Sequence, residues 1–268
     1  MKKQLLLIMV IIPIILGTTI TSVIPVGIAN SAGNVLGSID VPLFELPFIF
    51  IYIAVIKLIW KFNFSFSLKN WFVPFIAIVS LLVTVFANIV TSKSLTVIFQ
   101  KIPGGQILLA VLISLLAAII IGLFEETVFR GGVIFNYLFF IFRKTNRPVL
   151  FAGVLSSVIF GAVHLSNTLF GGGGAEWGGY TLYQVIYAAA IGFVFAMVYV
   201  KTKSLVIPIV LHALIDWSDL FFNLAGEPAM TGISWTPVIL TIIYVVSGYM
   251  IYQTIEPNSF KSLGLKPE

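Results

Sequence analysis

The chain has no cysteine, two histidines in 268 residues, and charged side chains at only 9% of positions. Without cysteine there are no disulfides, no thiolate nucleophile and no Cys-ligated metal or iron–sulfur site; the absence does not indicate the compartment. The scarcity of charge excludes an ordinary soluble domain, in which about a quarter of residues are charged. Apolar residues fill the space: 59% of the chain is hydrophobic and the mean hydropathy is +1.10. A soluble globule cannot hide that much apolar surface, so the composition predicts a single integral membrane domain over 1–268. The net charge of +5 does not argue for a nucleic-acid partner, because no basic cluster exceeds RKTNR at 143–147. Lysines and arginines placed this way read as topology signals.

Apolar runs of spanning length lie at about 4–28, 43–60, 71–92, 106–129, 148–166, 181–200, 204–222 and 234–254, which predicts an all-α polytopic fold of eight transmembrane helices. Several runs are rich in β-branched residues, but in lipid the backbone must satisfy itself, which favours helix over open strand. With the N-terminus inside, Lys2, Lys3, Lys57, Lys61, Lys69, Arg143, Lys144, Arg147, Lys201, Lys203, Lys261 and Lys266 fall in cytoplasmic segments. Only Lys93 and Lys101 fall outside. This alternation predicts an N-in, C-in topology. The opening MKKQLLLIMVIIPIILG also resembles a signal peptide, but no clean small-x-small site follows, so an uncleaved first helix is expected.

Against this background the segment LFEETVFRGG, at 123–132, stands out because it follows a run without charge from Gln106 to Gly122. Each ionised group costs roughly 2.5–3.5 kcal/mol at a bilayer centre, so Glu125, Glu126 and Arg130 together require partners. Glu126 and Arg130 are four apart with the acid first, the favourable order for a helical pair. That leaves Glu125, about 100° around the helix, for another task. Both histidines, His164 and His212, also fall in predicted membrane helices, and His212 shares a helix face with Asp216. If RKTNR is the turn of an antiparallel hairpin, Glu125 and His164 stand opposite each other. The site then falls in the cytoplasmic half of the bilayer. Either the hairpin projects beyond the membrane, or a kink at Gly131-Gly132 lays residues 133–142 along the interface.

The chemistry of such a cluster is restricted. A carboxylate in a low-dielectric cavity can take and return a proton near neutral pH. Two histidines can bind a divalent metal or hydrogen-bond a developing oxyanion, and Asp216 can be a ligand or orient His212. The combination reads as water activation for hydrolysis with Glu125 as general base. Proton relays of transporters use the same residue types.

Three motifs sharpen this reading: EETVFR from Glu125 to Arg130, FGAVH from Phe160 to His164, and HALID from His212 to Asp216. In order and spacing they resemble the EExxxR, FxxxH and HxxxN/D motifs of the CPBP (Abi) family of intramembrane proteases, which includes the type II CAAX prenyl endopeptidases. The likeness covers about 106–222. It implies an eight-helix fold with the active site inside the bundle, and a peptidase in which Glu125 activates water while Glu126 and Arg130 position it. It further implies that His164, His212 and Asp216 complete the site, either by holding a divalent metal such as zinc or by hydrogen bonding. No organic cofactor is implied. The implied substrate is a membrane-embedded or lipid-modified peptide or protein, the setting a bacterial cell membrane, and the implied roles are bacteriocin self-immunity or peptide maturation. HExxH is absent, so no zincin mechanism carries over.

Two other classes compete. A non-proteolytic scaffold or immunity partner has no reason to bury this much charge, and a proton-coupled transporter would show broken helices in two related halves, of which there is no sign. GGGGAEWGG at 171–179 reads as a solvated loop, Glu45 as an acid snorkelling at the outer end of its helix, and Asp219 as a peripheral neighbour of Asp216.

Overall fold

The computed structural model describes residues 75–91, 102, 104–132, 134–165, 179–223 and 235–256, with short helical stretches between 46 and 54. The first apolar run, Glu45 and most of the 171–179 loop lie outside the described residues. Every regular element described is helical: α1 (Phe75–Thr91), α2 (Ile107–Glu126), α3 (Ile134–Phe142), α4 (Pro148–Val163), α5 (Gly179–Thr202), α6 (Val206–Asn223) and α7 (Trp235–Gln253). Apart from α3, each coincides with one of the apolar runs to within a few residues.

Helix α2 shows how a uniformly apolar sequence acquires two faces. Ala110, Ser114, Ala117, Ala118 and Gly122 are buried, whereas Leu108, Leu109, Leu112, Leu116 and Ile119 are exposed. Hydrophobicity cannot sort these positions in lipid; size does, because small residues let backbones approach. Helix α2 packs along α6, and at Gly122 a Cβ would stand 3.1 Å from Ile209 O and 3.3 Å from Ala213 N. Helix α5 packs against α4, α6 and α7, and its residues 190–200 are all buried.

The helical run Gly104–Phe142 is 39 residues long, nearly twice the ~20 that a bilayer requires. It is not one regular helix. Over Thr127–Gly132 the winding changes to a π-helical turn, and the nine-residue α3 then packs on α4. Adjacent glycines make this the weakest point for regular winding.

At the α5–α6 turn, Lys203 takes a left-handed conformation (φ 57°) and its N–H returns to Tyr199 O at 2.8 Å. The Ser204 hydroxyl caps Val206 N–H at 3.2 Å. Lys201 Nζ donates to Thr254 O, so α5 and α7 end on the same side.

Candidate functional site

The end of α2, the π-helical turn and the middle of α6 build one polar cluster. Arg130 Nη1 donates to Glu126 Oε1 at 2.7 Å, and both side chains are fully buried. His212 Nδ1 lies 2.8 Å from the same Glu126 oxygen. With Nδ1 occupied there, His212 Nε2 faces two further carboxylates, Glu125 Oε2 at 3.3 Å and Asp216 Oδ2 at 3.4 Å. The Glu126–Arg130 pair expected from the sequence is formed, and His212 and Asp216 share a helix face as expected. Side-chain exposure divides the cluster: Glu126 and Arg130 are at 0%, whereas Glu125 and Asp216 retain 25% and 22%. Glu125 and Asp216 are its open side.

The second guanidinium nitrogen, Nη2, donates to Gly192 O on α5 at 2.9 Å. Arg130 is also enclosed by aromatic rings, its Cζ lying 4.5 Å from the Phe160 centroid, 5.6 Å from Phe195 and 5.8 Å from Phe129. Such contacts favour a cation most where it is desolvated, as here. Phe195 stacks on the His212 ring at 5.1 Å, and Phe160 meets that ring edge-on at 5.8 Å. Gly192 and the rings of Phe129 and Phe195 were not legible as site residues. In a chain with 24 phenylalanines, a ring that contacts a buried cation has no distinguishing local signal.

His164 stands apart from the ion-paired cluster. It closes α4, its Nδ1 lies 3.0 Å from Phe160 O one turn back, and its ring packs edge-on to Phe160 at 5.0 Å. Phe160 thus sits against both histidines. Several buried polar atoms lack a hydrogen-bonding partner: Glu126 Oε2, Thr127 Oγ1, Arg130 Nε, Asp216 Oδ2 and Trp217 Nε1. Unsatisfied acceptors in a buried polar cluster are where ordered water or a polar substrate group gains most.

Among the described residues no group of three or more His, Asp or Glu side chains is arranged to hold a metal ion. His164 turns Nδ1 onto its own helix and His212 turns Nδ1 onto Glu126, so Nε2 is the nitrogen that each ring keeps for another partner.

These features define a helical membrane protein with an acid–histidine–arginine cluster inside its bundle. Residues 107–218, which carry all three motifs, match the family described as type II CAAX prenyl endopeptidase Rce1-like. The chain is also 33% identical over 112 residues to YdiL of Bacillus subtilis (strain 168), a candidate membrane peptidase. That match takes in 41% of this chain and spans 37% of the relative's length. No solved structure matches the chain significantly.

Proposed function

We propose that the protein is a multi-pass intramembrane endopeptidase of the CAAX type, cutting a membrane-associated or lipid-modified peptide in the cytoplasmic half of the bilayer. The observation that carries this reading is the asymmetry of the two adjacent acids. Glu126 is sealed between Arg130 and His212, whereas Glu125 is partly open and lies 3.3 Å from His212 Nε2. A general base must reach its substrate water, and only Glu125 of the pair has the exposure to do so.

In the proposed reaction the Glu125 carboxylate takes a proton from water as the water oxygen bonds to the scissile carbonyl carbon. His212 Nε2, when protonated, donates to the developing oxyanion, and His164 supplies a second donor from the Phe160 side. Collapse of the tetrahedral intermediate breaks the C–N bond, and Glu125 returns its proton to the leaving amine. Asp216, whose side chain keeps 22% exposure, accepts a hydrogen bond from the water's second O–H. Glu126 and Arg130 hold His212 in place. The proposed step uses the chain's own side chains and is routed through no metal.

The depth follows from α6. His212 is six residues past Val206, about 9 Å along the axis from the end that the lysine pattern places inside. The eight-helix, N-in and C-in arrangement is part of this proposal, as are bacteriocin self-immunity or peptide maturation as roles. A scaffold reading draws on the sealed half alone, since Glu126, Arg130, His212 and Gly192 also tie α2, α5 and α6 together. The test is cleavage in proteoliposomes of a farnesylated CAAX peptide and of unmodified membrane-spanning peptides, read by mass spectrometry. Product from the wild type and none from Glu125→Gln at equal folded protein supports hydrolysis. Equal product from both would overturn Glu125 as the base, and none from either while membrane protection of cells persists favours the scaffold.

A further inference from the structure

Helix α5 carries none of the three motifs, yet it sends two groups into the cluster. Gly192 contributes its carbonyl oxygen, 2.9 Å from Arg130 Nη2. Phe195, three residues on and hence on the same helix face, stacks on His212 with 26° between the rings and lies 5.6 Å from Arg130 Cζ. We propose that Gly192 and Phe195 are positioning residues of the site, a fourth element that sets the plane of His212 and the aim of Arg130.

The argument for Gly192 is steric. A Cβ at this position would stand 2.7 Å from Arg130 Nη2 and 2.9 Å from Phe160 Cδ1. Only glycine lets the α5 backbone come near enough for its carbonyl to receive the guanidinium. That carbonyl is an uncharged acceptor, so it fixes the fork of Arg130 without competing with Glu126 for charge.

The argument for Phe195 is electrostatic and geometric. The face of a benzene ring is negative, which suits a guanidinium and, when charged, an imidazolium. A stacked ring also limits rotation of the imidazole about its attachment. His212 Nδ1 then stays on Glu126, and Nε2 stays turned to Glu125 and Asp216. A residue that only filled the core would need the volume of Phe195 and not its face. Leucine keeps much of the volume and loses the face; tyrosine keeps the face.

The two histidines make a direct test practical. The full chain is labelled with ¹⁵N-histidine and placed in nanodiscs, with His164→Gln assigning the second imidazole. The wild type is expected to show His212 protonated on Nδ1, and on Nε2 as well in the form that donates to the oxyanion, with ring signals displaced by the Phe195 ring current. Phe195→Leu should move the His212 signals and leave those of His164 in place, and Phe195→Tyr should restore them. In the proteoliposome cleavage assay, which rests on the proposed endopeptidase reading, Phe195→Leu should lower kcat by about 10–100-fold with KM little changed, the size of effect expected from misplacing a reacting group. Gly192→Ala should lower kcat similarly. Unmoved His212 signals in folded Phe195→Leu protein overturn the proposal, whatever the activity. Moved signals in a protein that cleaves nothing support the positioning role and count only against proteolysis.

Discussion

His212 Nδ1 lies 2.8 Å from Glu126 Oε1, and this one bond decides which nitrogen of the ring faces Glu125. His164 makes no comparable commitment: its Nδ1 meets the carbonyl of its own helix. The two histidines should therefore respond differently to removal. His212→Ala is expected to lower both folded yield and activity, because it leaves Glu126 short of a partner in a buried site. His164→Ala should leave yield near wild type and reduce activity alone. Each should cost about 10²–10⁴ in rate per folded molecule, and the double variant little more, since groups acting as a unit are non-additive. Rates normalised to protein recovered as a monodisperse peak check this. A fully active His164→Ala variant would remove that residue from the mechanism.

Arg130 is fully buried, pairs with Glu126 and donates to Gly192 O. Arg130→Ala leaves Glu126 facing only His212, and a broken buried pair costs about 3–5 kcal/mol. Thermal unfolding should show a large drop in midpoint, or no folded protein at all. Arg130→Lys should recover only part, because a single ammonium cannot serve Glu126 and Gly192 at once as the planar fork does. Wild-type stability in the alanine variant would mean that the pair is not desolvated in the membrane.

At Gly122 the α2 backbone packs directly on α6, one turn before the cluster. An added methyl would meet Ile209 O at 3.1 Å and Ala213 N at 3.3 Å, both backbone atoms. Gly122→Val should force the helices apart, at the roughly 1–3 kcal/mol typical of overpacking. Because Glu125 and Glu126 lie just beyond, on the same helix, activity should fall with stability. Thermal midpoint and cleavage rate measured together test the link, and an unaffected midpoint would contradict this packing.

Topology can be read with reporter fusions. Fusions after residues 35, 100, 172 and 228 are expected outside, and those after 66, 145, 202 and 262 inside. The Lys201–Thr254 contact already puts the ends of α5 and α7 on one side, as this alternation requires. An inside signal at 172 would break the arrangement, because α4 and α5 would then not span on opposite courses.

Much of this protein is legible without coordinates. The cost of exposing backbone in lipid favours helix in each long apolar run, so composition and spacing alone give the all-helical class of the described residues and bring the described boundaries within a few residues. The pairings of Glu126 with Arg130 and of His212 with Asp216 follow from helical repeat, a local property that sequence carries directly. Three other features depended on the fold. The π-helical turn at 127–132 arises where a helix too long for the bilayer meets two glycines and an arginine drawn toward α5. The His212–Glu126 bond joins residues 86 positions apart, and the Gly192 carbonyl reaches Arg130 across 62. Backbone carbonyls and phenylalanine rings look alike at every position of a greasy chain. Only the packing of α5 against its neighbours determines which carbonyl and which ring meet the buried charge, because in lipid close approach is governed by side-chain size and local fit, and apolar pattern alone does not encode it.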